Sequence, residues 1–180
     1  MRPEPGEVLH FSEDRTITRF EPHVAATSRQ PEPYVWAVDE NRAADYWFPR
    51  QCPRIIAFVN GDSTEDDRDL IVGPGCGDRV HAVEYAWLER MRTVELYAYR
   101  LPAEHFRPFD PDDPHAHVAT VPVEPLGPAE RVGDLFACHE AAGIGLRVLP
   151  NLWPFWGAVT ESTLGWSGIR LRNAAPAPRG

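Results

Sequence analysis

Tyr34-Val35-Trp36-Ala37-Val38-Asp39-Glu40-Asn41-Arg42-Ala43-Ala44-Asp45-Tyr46-Trp47-Phe48-Pro49 carries a strand, a cap, a helix and a stop in one run. The first five residues are aromatic, β-branched or small and follow Pro33, which predicts a strand. Tyr34, Trp36 and Val38 then share one face, and Val35 and Ala37 the other. Asp39 stands where an N-cap belongs, residues 40–47 predict a short helix, and Pro49 stops it.

Val8-Leu9-His10-Phe11-Ser12 and residues 54–59, 94–99 and 144–148 also read as strands, and 118–123 as a strand interrupted at Pro122. Residues 129–142 predict a helix that buries Val132, Leu135, Phe136 and His139 and ends at Gly143. Asn151 caps a helix running to about Leu164, with Leu152, Phe155, Trp156 and Val159 as its packing face. Residues 79–91 fit either a helix or a strand followed by a helical turn. Residues 21–33 and 102–116 are proline-rich and read as loops, 60–67 as an acidic turn, and 174–178 as a disordered tail. The 19 prolines require short, numerous elements. Strands and helices follow no regular βα alternation. The prediction is an α+β chain forming a single domain over residues 1–180, with an ordered core at 8–173 and a flexible tail at 174–180. Its sheet is mixed, mostly antiparallel and flanked by short helices.

Composition removes several functions. The formal net charge is −9, and no basic run supplies the footprint that a nucleic-acid groove needs. All 18 basic residues are Arg, so neither a Schiff-base lysine nor a covalently held pyridoxal phosphate is possible. A Walker-type loop is excluded for the same reason. No apolar run approaches a membrane span. The polar opening, Met1 to Glu7, reads as no export signal. Cys52, Cys76 and Cys138 are too few and too far apart for a disulfide framework, which suits a reducing cytoplasm.

His10 and Ser12 share a face of the first strand and can present donors and acceptors to one ligand. Tyr34 and Trp36 can stack a planar ring or simply pack as core. In Phe48-Pro49-Arg50-Gln51-Cys52-Pro53-Arg54, two prolines stiffen a turn between two guanidinium groups. Arg50 and Arg54 can bind an anion or pair with local acids, and their charge would activate the Cys52 thiol. Glu84, inside an apolar pattern, is a general-base candidate or the partner of a buried cation, and on a helix His81 would share its face. His115 and His117 have the spacing of metal ligands but no matching third ligand, so no metal site is predicted.

The runs His10 to Glu13, Val35 to Glu40 and Phe48 to Arg54 resemble a family of short bacterial proteins known as a domain of unknown function. The resemblance extends through Glu84 to Trp87, Leu96 to Tyr99, Asn151 to Trp153 and Ser162 to Ser167. The opening strand with its His and Ser, followed by a strand-then-helix unit, also looks like the start of ADP-ribosyltransferase folds. That likeness implies that His10 contacts the ribose or amide of NAD and that Tyr34 or Trp36 lines a nicotinamide pocket. Where that superfamily carries its catalytic Glu, this chain has His115-Ala116-His117, and Glu84 is the nearest candidate. Three functions follow as expectations. One is a small-molecule or nucleotide-binding domain with NAD as ligand and ADP-ribosyltransferase-like activity, using Glu84 and His10 for catalysis and His10, Ser12, Tyr34, Trp36, Arg50 and Arg54 for binding. Another is a non-enzymatic ligand- or protein-binding domain with a degenerate site. The third is a thiol enzyme built on Cys52.

Overall fold

In a computed structural model of the chain, residues 2–24, 32–110 and 113–178 are described. The parts of the expected loops at 25–31 and 111–112, and the tail end at 179–180, lie outside them. In chain order the strands and helices are β1 (Glu7–Ser12), β2 (Val35–Val38), α1 (Glu40–Ala43), β3 (Arg54–Phe58), α2 (Glu65–Asp67), β4 (Arg79–Glu84), α3 (Leu88–Thr93), β5 (Tyr97–Pro102), β6 (Arg107–Asp110), β7 (Asp113–Ala119), β8 (Glu130–Arg131), α4 (Leu135–Ala141), β9 (Gly145–Leu149), α5 (Trp153–Glu161) and β10 (Gly165–Ile169). The fold is α+β, as expected. Contacts divide it into two units, Met1–Trp47 with Glu95–Gly133 and Phe48–Val94 with Asp134–Gly180. No helix among the described residues is long and apolar enough to cross a membrane.

The first unit holds a six-stranded sheet in the order β6-β7-β2-β1-β5-β8, antiparallel at every pairing. Strand alternation sends Val8, Val35, Ala37, Tyr97, Tyr99 and Leu101 into one buried cluster, where Phe20 joins them. Leu9 and Val38 pack on the other side with Ala43 of α1. Asp39 caps that helix through its side chain, which accepts from the Asn41 amide at 2.9 Å.

The second unit holds a four-stranded sheet, β10-β3-β4-β9, in which β4 and β9 run parallel and the other pairs antiparallel. Val80 and Ala82 of β4 face Leu152, the residue before α5, and Phe155 and Val159 of α5, while Val83 faces Phe48, Cys52 and Met91. Residues 79–91 thus take the strand-first alternative. On a strand, His81 and Glu84 point to opposite faces, so the shared helical face does not form.

Several expectations need correction. Residues 107–110 and 113–119 are strands, not loop. Pro108 is accommodated because β6 is the sheet edge, where a missing N–H costs no ladder bond. The strand expected at 94–99 begins at Tyr97, and that at 118–123 ends at Ala119, leaving Val123 in an isolated bridge to Phe20. The helix expected from 129 begins at Leu135. Gly133, at φ +95°, breaks the backbone, and Asp134 caps the helix. The acidic turn contains α2, capped by Thr64. Strand β10 escapes the hydrophobic pattern because glycines replace side chains on it. A Cβ on Gly165 would lie 2.3 Å from the Phe58 ring, and one on Gly168 would lie 2.7 Å from Trp156. The tail is held through Pro176. The Asn151 side chain donates to the Pro176 carbonyl at 2.9 Å, and the Trp153 indole donates to the Ala175 carbonyl at 2.8 Å.

Candidate functional site

His10 and Ser12 share a face, as alternation requires, and pair across β5 with Tyr99 and Tyr97. β1 and β2 pair at one position, Leu9 with Val38. Beyond it the His10 side chain replaces the ladder, with Nδ1 at 2.7 Å from the Trp36 carbonyl oxygen. A carbonyl accepts only, so Nδ1 carries the proton. The ring centroid lies 4.6 Å from that of Phe20. Ser12 is buried, and its hydroxyl accepts from the Asp14 amide at 3.1 Å. Both polar groups therefore hold the strand end in place.

Tyr34 and Trp36 share the opposite face of this sheet, so they do not join His10 and Ser12 on one surface. They gather a different set. The Trp36 ring centroid lies 4.7 Å from Phe109 of β6 and 5.9 Å from Tyr34, which meets it edge-on. Register places Trp36 opposite Val118 and Val118 opposite Arg107. Phe109, two residues beyond Arg107 on β6, shares that face by alternation and meets Trp36. The Arg107 guanidinium stands 5.9 Å from the Tyr34 ring centroid. The Tyr34 hydroxyl donates to the Glu32 carboxylate, and that bond holds the phenol above its ordinary pKa. Tyr34 is buried, Trp36 and Phe109 are partly exposed, and Arg107 is exposed. Two aromatic faces beside an open cation can stack a planar ring and pair with an anion attached to it.

Arg50, Arg54, Cys52 and Glu84 belong to the second unit. Arg54 is buried, donates to the Cys52 carbonyl at 3.1 Å and lies 5.0 Å over the Phe48 ring. Arg50 is exposed, whereas Arg54 is buried. Glu84 is 3% exposed. Its Oε1 accepts from the Leu152 amide at 3.2 Å, and the Ala175 amide reaches both oxygens at 3.1 and 3.0 Å. That carboxylate anchors the start of α5 and the tail.

Cys52 is fully buried, and burial pushes its thiol up to about 12 against the opposing pull of Arg54. The expected activation fails because desolvation outweighs one neighbouring cation. At neutral pH such a thiol stays protonated. Iodoacetamide at pH 7 is expected to modify the partly exposed Cys76 and Cys138 in the folded protein and to reach Cys52 only after unfolding. Peptide mass mapping checks this, and a Cys52 adduct in folded protein would contradict it.

Two polar groupings escaped the sequence reading. Asp39 Oδ2 accepts from His115 Nδ1 at 2.6 Å and lies 3.8 Å from His117 Nε2. Asn41 Nδ2 is 3.2 Å from the same His115 nitrogen, but the shorter carboxylate contact takes the N–H. Reading 102–116 as a loop hid the strand face that His-x-His alternation builds, and the Asp39 cap position hid its second bond. No group of three or more His, Cys, Asp or Glu among the described residues could hold a metal ion. In the second unit, His81 and His139 are buried with Nδ1 and Nε2 at 3.0 Å, and Phe48 lies against both rings. Periodicity placed His139 on the buried helix face, but nothing local named its partner.

A family model matches residues 9–174, and the chain belongs to that family, described as a family of unknown function, DUF6886. No curated protein and no solved structure matches the chain.

Proposed function

We propose that this family member is a ligand-binding domain for nucleotide-class molecules such as NAD, held on the Trp36–Phe109 surface with Arg107 facing the phosphate. The observation that carries this reading is the pair of partly exposed rings 4.7 Å apart beside an exposed guanidinium. Base–aromatic stacking is worth ~1–3 kcal/mol per base and tolerates any planar ring. Arg107 adds charge selectivity, because a phosphate is recognised well by a planar fork of donors.

Binding without transfer is the form of activity that these residues favour. An ADP-ribosyltransferase-like reaction would call on His10 and Glu84. The first is bonded to the Trp36 carbonyl and the second to backbone amides. The non-enzymatic reading thus gains from the same geometry that weakens the transfer reading.

Calorimetric titration with NAD, AMP and adenosine tests the assignment. Trp36→Ala should weaken all three by about tenfold or more, the effect of losing one stacking platform. Arg107→Gln, at an exposed position, should weaken NAD and AMP but not adenosine. Absence of NAD and AMP binding to the wild-type chain, or unchanged affinities in both variants, sinks the reading. Release of nicotinamide during the titration would restore the transfer alternative.

A further inference from the structure

The second unit carries an open groove of about 480 Å³ walled by Leu70, Ile71, Leu149, Pro154 and Phe155, with Arg147 as the charged residue of its lining. The π-helical turn Arg68–Val72 builds one wall. It buries Ile71 and Val72 and leaves Leu70 70% exposed. The volume falls within the ~300–1,000 Å³ of small-molecule sites.

Arg147 is partly buried on β9, with its guanidinium 4.9 Å from the Phe155 ring centroid. Among the described residues it pairs with no carboxylate, although the chain has 27 acidic residues. Two other partly buried arginines are paired with carboxylates: Arg42 meets Asp45 at 2.8 Å, and Arg100 meets Glu7 and Glu130 at 2.6 Å each. A half-desolvated cation resting on an aromatic face keeps an unmet demand for an anion. The remaining lining offers little to a polar partner. Pro150 and Pro154 have no N–H, and the Asn151 side chain is bonded to Pro176 and Trp153.

We propose that this groove binds a small amphiphilic carboxylate, with its alkyl chain or aryl ring along Leu70, Leu149 and Phe155 and its carboxylate on Arg147. One cation in an apolar concavity matches a ligand with one charged end, and the lining lacks the polar groups that a peptide backbone would need. This site is independent of the nucleotide surface of the first unit.

Decanoate below its micellar concentration, with decanol as the uncharged control, tests the site by calorimetry. One decanoate is expected per chain. Arg147→Gln should weaken decanoate about tenfold, the usual loss for one charge-assisted contact, and leave decanol unchanged. Leu70→Asp, at an exposed position, should weaken both. Trp36→Ala should change neither, so failure here is distinguishable from failure of the nucleotide reading. Absence of decanoate binding to the wild type, or equal affinity in Arg147→Gln, overturns the proposal. Self-association that Leu70→Asp disperses, with no decanoate bound, would assign the groove to a second copy of the chain and overturn it as well.

Discussion

Glu84→Ala is expected to lower the unfolding free energy by about 3–5 kcal/mol, the scale for stranding buried partners of a charged group. Glu84 is 3% exposed, and its oxygens receive the amides of Leu152 and Ala175. Alanine leaves both N–H groups without that acceptor, the Leu152 amide buried and the Ala175 amide part-buried. Each stranded donor costs ~1–3 kcal/mol, and loss of the side-chain volume adds a cavity term. Glu84→Gln keeps the shape and one acceptor oxygen but loses the charge and turns an amide group toward backbone donors, so a loss of about 1–2 kcal/mol is expected. Urea unfolding followed by circular dichroism measures both. Because Ala175 is one of the partners, carboxypeptidase should trim the tail faster in Glu84→Ala. A Glu84→Ala protein within 1 kcal/mol of wild type, on a ~±0.5 kcal/mol surface-substitution scale, would contradict the anchoring role.

His139→Leu is expected to cost about 2–4 kcal/mol, and combining it with His81→Leu should cost less than the two single changes together. The proton positions explain why. His139 Nδ1 lies 2.6 Å from the Leu135 carbonyl oxygen, so it must donate. In a neutral ring Nε2 is then an acceptor, and His81 Nδ1, 3.0 Å away, donates to it. Removing either ring takes the 3.0 Å hydrogen bond from its partner beside the Phe48 ring. Removing both deletes the polar pair along with its demand. A double-mutant cycle by urea unfolding should give a coupling of about 1–2 kcal/mol. Additive single effects would show that the two rings stabilise the fold separately.

The strand-to-helix unit at 34–47 was legible because every local signal agreed: β-branched and aromatic residues, an Asp cap and a terminating proline. The pattern at 79–91 stayed ambiguous because Val80 and Val83 fit both periods. Sheet pairing resolved it by placing His81 opposite Ile56. Strand β6 was hidden by Pro108, since a proline marks loops and edge strands alike. Alternation correctly put His10 with Ser12 and Tyr34 with Trp36. It could not say that these pairs lie on opposite faces, because that depends on register between strands 23 residues or more apart in sequence. Phe109 and Arg107 were missed for the same reason as β6, and with them the surface that Trp36 belongs to. Burial of Glu84 was legible, but its partners were not, because they lie 68 and 91 residues away.

The nucleotide surface is tested most directly by following the indole N–H signals of the six tryptophans in a ¹⁵N-labelled sample during NAD titration. The Trp36 signal, assigned by its loss in Trp36→Ala, should shift progressively and saturate, with Trp153, Trp156 and Trp166 of the second unit unmoved. A silent Trp36 signal at saturating NAD, or shifts confined to the second unit, would contradict binding on the Trp36–Phe109 surface.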